Sequence, residues 1–310
     1  MSCKKILIVD NLHPLFKEEA IKLGYEVDDF PDFSRAQALS VIHQYVGIAI
    51  RTKFNINKEI IDAGINLKFI ARAGAGLDNI DEEYSNLKGI SCLNAPEGNR
   101  AAVAEHAIGM LLSLMNNLRK ADIEVRNGTW NREGNRGYEL KGKTIGIIGY
   151  GYMGRSIAKR LKSFEVNVIA FDKYKSGFSD EFVNEVSMEQ IVKHSDILSL
   201  HIPLKRETFR LVNDEYLFHF KKPIFLLNTS RGEIVNTRAV LNGIKTGKII
   251  GAGLDVLEVE KFPDLSEQEW FDDLRKEERV VLSPHVAGWT IESYRKISEV
   301  LAEKLKMLSI

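Results

Sequence analysis

TIGIIGYGYMG (144–154), continued through VNVIAF (166–171) to Asp172, decides how this chain is read. An apolar strand runs into a turn carrying Gly149, Gly151 and Gly154. A helix follows from Met153, then a second strand that ends on an acidic residue. A glycine triplet alone carries little weight, but a strand before it, a helix after it and an acid at the end of the next strand are what a dinucleotide-binding unit requires. The first glycine permits the tight turn, the second lets backbone approach a pyrophosphate, and the third lets helix and strand pack closely. The pyrophosphate then rests at a helix N-terminus, whose free N–H groups and dipole favour anions. Asp172 is expected to accept hydrogen bonds from the adenosine ribose and to repel a 2′-phosphate, which favours NAD over NADP.

At 310 residues the chain is long enough for about two domains. Lys plus Arg and Asp plus Glu are both 43, so no net field draws the protein to nucleic acid or to an anionic membrane. The two cysteines, Cys3 and Cys92, suit a reducing compartment better than a disulfide framework. Neither sits in a metal-ligand cluster, so no metal is expected. MSCKKILIVDN at the start turns polar too soon for a secretory signal, and Ala107 to Met115 is too short to span a bilayer. A cytoplasmic protein is the expectation.

Around the opening stretch, strand and helix patterns alternate. Lys5 to Val9, Val46 to Ile50, Leu67 to Ala71 and Ile90 to Asn94 read as strands, with Pro14 to Leu23, Arg35 to Gln44 and Lys58 to Ala63 as helices. Pro96 to Asn99 reads as a hinge, and Arg100 to Val125 as one long helix, buried in its own domain or against a partner subunit. Strands recur at Asp196 to Leu200, Ile224 to Leu227, Ile250 to Leu254 and Val280 to Leu282, before a last helix at Ile291 to Leu308. Phe262 to Glu278 has no clear pattern. The expected architecture is α/β: two doubly wound parallel-sheet domains with a cleft between them. Residues 99–286 would form a Rossmann NAD-binding domain. Residues 1–98 and 287–310 would form a discontinuous substrate domain.

Ligands on such sheets bind beyond the carboxyl ends of the strands. Three candidate chemical groups stand there. Arg231 follows IFLLNTS (224–230), Glu260 follows IGAGLDV (250–256), and His285 follows VVLSP (280–284). Oxidising a secondary alcohol needs a base for the hydroxyl proton, and imidazole titrates near neutral pH. A carboxylate bonded to it would orient the ring. A guanidinium can fork onto a substrate carboxylate.

RAGAGLDNID (72–81), NAPEGNRAAVAEH (94–106), ELKGKTIGIIGYGYMGR (139–155), HIPLKRET (201–208), NTSRGEIVN (228–236), GAGLDVLEVE (251–260) and SPHVAGWT (283–290) occur in this order along nearly the whole chain. In these motifs the sequence resembles the D-isomer-specific 2-hydroxyacid dehydrogenases. The resemblance implies a flavodoxin-like substrate domain beside the Rossmann domain, and Arg231, Glu260 and His285 as the catalytic set. It implies cofactor contacts from Tyr152, Met153, Ile202, Thr229, Asp255 and Gly288, besides Gly149, Gly151, Gly154 and Asp172. Backbone amides of Ala73, Gly74, Ala75 and Gly76 would receive the substrate carboxylate. Where many relatives carry Pro directly after the catalytic Glu, Lys261 and Phe262 intervene here. That leaves Glu258 beside Glu260 as a candidate, with the spacing from Asp255 favouring Glu260.

Arg51, Thr52, Arg72 and Arg132 match positions that the phosphoglycerate branch uses around its substrate. They point to D-3-phosphoglycerate, with hydroxypyruvate, glyoxylate or D-lactate as the alternatives. An NAD-sensing corepressor, a binding protein rather than an enzyme, is the alternative of another class. A homodimer through the NAD-binding domain is expected, with no nucleic-acid or membrane partner. The chain stops after its final helix pattern, without room for the regulatory domain appended in some phosphoglycerate dehydrogenases, so serine feedback through such a domain is not expected.

Overall fold

The computed structural model describes residues 4–308. Cys3 lies outside them. The chain divides into two compact units, Met1–Arg100 with Trp289–Ile310, and Ala101–Gly288.

The smaller unit runs β1 (Lys5–Ile8), α1 (Pro14–Lys22), β2 (Glu26–Asp29), α2 (Arg35–Val41), β3 (Gly47–Ile50), α3 (Lys58–Ala63), β4 (Phe69–Arg72), α4 (Glu82–Leu87) and β5 (Ser91–Leu93). Its strands are all parallel in the order β2-β1-β3-β4-β5, the flavodoxin arrangement. The inner strands are apolar along their length because helices cover both faces. Alternate side chains go to opposite sides. Leu7, Ile48, Ile50 and Ile70 pack with Ile42, Ile60 and Ile61 on one face. Ile6, Ile8, Ala49, Phe69 and Ala71 pack with Phe16 and Ala20 of α1 on the other. Helix starts are set locally: the Ser34 hydroxyl and the Gln37 side chain form a reciprocal capping box, and Asn57 and Asp81 cap α3 and α4.

The larger unit takes up α5 (Pro96–Met115), within which the division falls, then α6 (Leu118–Arg126), β6 (Thr144–Ile148), α7 (Tyr152–Leu161), β7 (Asn167–Phe171), β8 (Asn184–Glu185), α8 (Met188–His194), β9 (Ile197–Leu200), α9 (Asp214–His219), β10 (Ile224–Asn228), α10 (Thr237–Lys245), β11 (Ile249–Leu254), α11 (Phe271–Lys276) and β12 (Val280–Leu282). Its seven strands are parallel in the order β12-β11-β10-β9-β6-β7-β8. The chain thus leaves β6 towards β7, then returns to its other side at β9. This reversal leaves a crevice beyond the end of β6, the place where a doubly wound sheet takes its ligand. The final helix, α12 (Ile291–Met307), belongs to the smaller unit, where Ile297, Leu301 and Leu305 join the core that α1 covers.

Several elements differ from the sequence reading. β2 and α4 were not anticipated. β2 is the edge strand EVDD, with no fully buried residue, so it has no apolar run to reveal it. The stretch read as a hinge, Pro96 to Asn99, is the first turn of α5, since proline fits the first position of a helix. The single long helix is two. Asn117 adopts a left-handed conformation (φ 52°), which breaks α5 from α6. The apolar face of α5 (Ala104, Ala107, Leu111, Met115) lies in the core of its own unit. Among the unassigned residues after Phe262, Leu265, Trp270 and Leu274 are buried against the larger unit's core, and α11 begins at Phe271. No helix among the described residues is long and apolar enough to cross a membrane.

His201, just past β9, bonds through Nε2 to the Ser199 hydroxyl at 2.8 Å, and burial pushes its pKa down to about 4. Its folded value lies below its unfolded one, so as pH falls the unfolded state takes the proton first. The associated stability is whole above pH 6.5 and is lost progressively towards pH 4. The residue as a whole is only half-buried, which trims the expected loss to about 2 kcal/mol. Urea unfolding at pH 7.5 and at pH ~4.5 checks this. His201→Asn is expected to show the shallower dependence on pH, and equal slopes would refute the assignment.

Candidate active site

The carboxyl edge of the seven-stranded sheet collects most of the singled-out residues in spatial order. Asp172 follows β7, Gly149 follows β6, Ile202 lies just past β9, Thr229 follows β10, Asp255 follows β11, and His285 and Gly288 lie past β12.

At the β6 turn, Gly149 has φ 93°, and a Cβ on it would lie 2.3 Å from the His201 carbonyl oxygen. Both the conformation and the space call for glycine. A Cβ at Gly154 would meet the Gly149 carbonyl at 2.1 Å, so α7 sits directly on the turn. Gly151 precedes α7 and faces open space, with Tyr152 and Met153 in the first turn of the helix. The Asp172 carboxylate accepts from Tyr150 N (2.8 Å) and Tyr174 N (2.9 Å), which ties the loop after β7 to the glycine turn. Two oxygens offer about four acceptor sites, so capacity remains for ribose hydroxyls. Farther along the edge, the Thr229 hydroxyl oxygen is buried with no protein hydrogen-bond partner. An orphaned polar atom in this row, a bare glycine turn and an open helix N-terminus together fit a bound dinucleotide.

The other end of the row carries the acid–base candidates. Asn228, Leu254 and Leu282 are lateral partners on β10, β11 and β12, so Arg231, Asp255 and His285 leave the sheet side by side. The loop of Arg231 lies against that of Asp255: a Cβ on Gly232 would come within 1.9 Å of the Leu257 carbonyl oxygen. Buried Asn228 knots this loop, accepting from Ser230 N and Oγ and donating to the Arg231 carbonyl at 2.9 Å. Asp255, 1% exposed, accepts from Ser283 Oγ (2.5 Å), Val286 N (2.9 Å) and Ala287 N (2.9 Å). The Asp255 main-chain carbonyl accepts from His285 N at 2.7 Å. His285 itself has φ 54°, an uncommon conformation for a side-chain-bearing residue, and the ring of bonds around Asp255 holds it there.

His285 Nδ1 lies 2.9 Å from Glu260 Oε2, with both side chains partly open to solvent. Glu258, the other candidate, is engaged elsewhere. It binds Arg210 through Oε1 and accepts from Thr237 N at the start of α10 through Oε2.

In the smaller unit, Arg51 and Arg72 stand at the ends of neighbouring strands β3 and β4. Arg51 stacks on Trp289 at 3.6 Å, and burial lowers its pKa. The amides of Arg51, Thr52 and Lys53 all donate to Asp10 Oδ2 at 2.9–3.0 Å. The glycine-rich loop corrects the sequence reading in part. Ala73 N already donates to Ile50 O and Gly74 N to Arg72 O, so of the four amides expected to meet a carboxylate, two are used inside the fold. Ala75 supplies its carbonyl to Asn94 Nδ2. Arg132 belongs to the larger unit, exposed at the start of a short 3-10 turn.

Asp10, Trp289, Ser283 and His106 escaped the sequence reading. His106 Nε2 bonds Ser283 Oγ at 2.9 Å. Since that hydroxyl donates to Asp255, it accepts from His106. Asp10 directly follows a strand and Ser283 lies inside SPH, which are usable signals. Trp289 and His106 have none, because their partners are distant in sequence.

The fold and this edge define a doubly wound dinucleotide-binding oxidoreductase. Residues 108–287 match the family model described as D-isomer specific 2-hydroxyacid dehydrogenase, NAD binding domain. The chain is 36% identical over 269 residues to the hydroxypyruvate reductase of Thermotoga maritima, covering 87% of this chain and 86% of that one. It is 35% identical over 308 residues to the D-3-phosphoglycerate dehydrogenase of Archaeoglobus fulgidus, covering 97% of this chain but spanning only 56% of that longer protein. The solved D-lactate dehydrogenase of Aquifex aeolicus, complexed with NAD and lactic acid, superposes with a TM-score of 0.84 at 26% identity, covering 98% and 94% of the two chains. This chain belongs to the D-isomer-specific 2-hydroxyacid dehydrogenase family, whose cofactor is NAD.

Gly154→Ala pushes a methyl group into the Gly149 carbonyl, which must move the turn or the helix. The expected result is NADH affinity weakened about tenfold or more, read by fluorescence titration. Affinity within twofold of wild type would mean that the turn does not receive the cofactor.

Proposed function

We propose that the protein oxidises a D-2-hydroxy acid to the 2-oxo acid, or runs the reverse reduction, and that D-3-phosphoglycerate is its substrate. The observation that carries the reading is the 2.9 Å Glu260–His285 bond on the same sheet edge as the glycine turn. With Nδ1 engaged by Glu260, His285 keeps Nε2 for the substrate hydroxyl proton. Glu260 orients the ring and stabilises the imidazolium that forms. The glycine turn and Asp172 would hold NAD, which would supply the hydride acceptor for the carbinol carbon. Arg231 receives the substrate carboxylate in a forked contact and fixes the carbon for transfer. Within the smaller unit, the amides of Ala75 and Gly76 are proposed as donors to a substrate carboxylate.

Arg51 and Arg72 support a substrate with a second anionic group, and the stacking of Arg51 on Trp289 fixes the direction of its guanidinium. Thr52, beside Arg51 in the same unit, joins them in this proposal, and Arg132 of the larger unit is proposed separately as a substrate-binding cation. One observation favours a smaller acid such as hydroxypyruvate or glyoxylate. The Asp10 carboxylate already fills the three-amide nest at residues 51–53, which a phosphate would otherwise enter. We also propose a homodimer through the larger unit, supported by the exposed apolar side chains Leu118, Ile123, Val125 and Trp130 on and after α6.

Steady-state kinetics on D-3-phosphoglycerate, hydroxypyruvate, glyoxylate and D-lactate separate the readings. His285→Asn is expected to lower kcat by about 10²–10⁴-fold at unchanged fold. Arg51→Ala is expected to raise KM for phosphoglycerate about tenfold or more and to leave glyoxylate turnover within threefold. If Arg51→Ala touches neither, the smaller acid is the substrate. NADH binding with no turnover of any of the four would favour a sensor over an enzyme.

A further inference from the structure

The sequence after β7, Asp172-Lys173-Tyr174-Lys175, places two lysines beside the carboxylate that should exclude a 2′-phosphate. By charge alone these lysines would invite one. The structure commits both elsewhere. Lys175 Nζ donates to the Tyr150 carbonyl at 3.0 Å. Lys173 Nζ lies 3.2 Å from Glu207 Oε1, in the loop after β9. The same Glu207 oxygen accepts from the Tyr174 hydroxyl at 2.8 Å. Tyr174 in turn accepts from Lys205 Nζ at 3.2 Å and carries that ammonium over its ring at 4.6 Å.

This cluster has a definite place. β7 and β9 flank β6, so the loops after them stand on either side of the glycine turn. Tyr174 and Glu207 link these two loops. The link starts from Asp172 itself, whose Oδ1 accepts from Tyr174 N and sets that residue's backbone. Glu207 is held ionised: its own backbone N–H, then Tyr174 and Lys173, bring its pKa down to about 2. One carboxylate therefore neutralises Lys173 directly and holds Lys205 through Tyr174.

We propose that Glu207 is a second cofactor-selectivity determinant, keeping the adenosine end for NAD by holding Lys173 and, through Tyr174, Lys205 away from a 2′-phosphate. Asp172 acts by repulsion. Glu207 acts by occupying the cations that would offset it. The inference concerns cofactor binding and stands whichever acid the protein oxidises.

Fluorescence titration of the full chain with NADH and NADPH, at about 50 mM ionic strength to limit screening, tests it. In Glu207→Gln the ratio of the NADPH to the NADH dissociation constant is expected to fall about tenfold, because the Lys173 ammonium loses its counter-charge and Tyr174, which carries Lys205, loses its anionic acceptor. Lys173→Met in the Glu207→Gln background is expected to raise the ratio again, which loop disorder alone would not do. Asp172→Asn serves as the reference for lost repulsion, and thermal melts confirm that each variant folds. A ratio for Glu207→Gln within threefold of wild type overturns the proposal, as does a fall that Lys173→Met leaves in place.

Discussion

The buried carboxylate of Asp255 is the constraint on which the candidate site depends. It emerges from β11 with almost no solvent contact and takes its donors from the segment after β12, Ser283, Val286 and Ala287. Burying such a group without partners is costly, so the loop that supplies them is bound to it. His285 lies between two of those donors. Its left-handed backbone is not a conformation the residue would choose alone, and the bonds on either side over-determine it. His106 and Ser283 extend the network away from the sheet edge. A ring held this way meets Glu260 without a search.

The same edge explains why the nucleotide and acid–base candidates form one row. In a parallel sheet every strand delivers its following loop to one side. The reversal at β6 parts the helices there, and the crevice falls between the loops of β7 and β9. From that point to β12 the strand ends contribute in turn the glycine turn, Ile202, the orphaned Thr229 hydroxyl with the Arg231 loop (both after β10), Asp255 and His285. The loops also brace one another. Gly232 brings the Arg231 loop against Leu257, and Gly154 brings α7 onto Gly149. Glycine at these places answers to close approach rather than to flexibility.

Much of this was legible beforehand. Strands buried on both faces are short apolar runs, and those of the larger sheet stand out in the chain. The motif order carried the family, and Asp172, Gly149 and His285 sit where the patterns put them, at strand ends. Edge elements were harder to see. β2 is polar because solvent reaches it, and nothing in EVDD distinguishes it from a loop. The break at Asn117 was hidden because asparagine fits a helix pattern about as well as it fits a left-handed turn. The glycine-rich loop at 72–76 looked like a set of free amides, but two of them are spent on Ile50 and Arg72.

By itself the sequence determined the parallel α/β class, the dinucleotide turn and the short list of residues at strand ends. These follow from local period, local turn chemistry and spacing, all of which act over a few residues. The spacing from Asp255 already favoured Glu260 over Glu258. Only the tertiary structure shows what each carboxylate touches: Arg210 and the N-terminus of α10 draw Glu258, while Glu260 meets His285. The tertiary structure also decided that Asp10 lies on the amides of residues 51–53, and that Glu207 reaches Lys173. Such pairings join loops that leave different strands, and strand order, absent from any local pattern, sets which loops are neighbours.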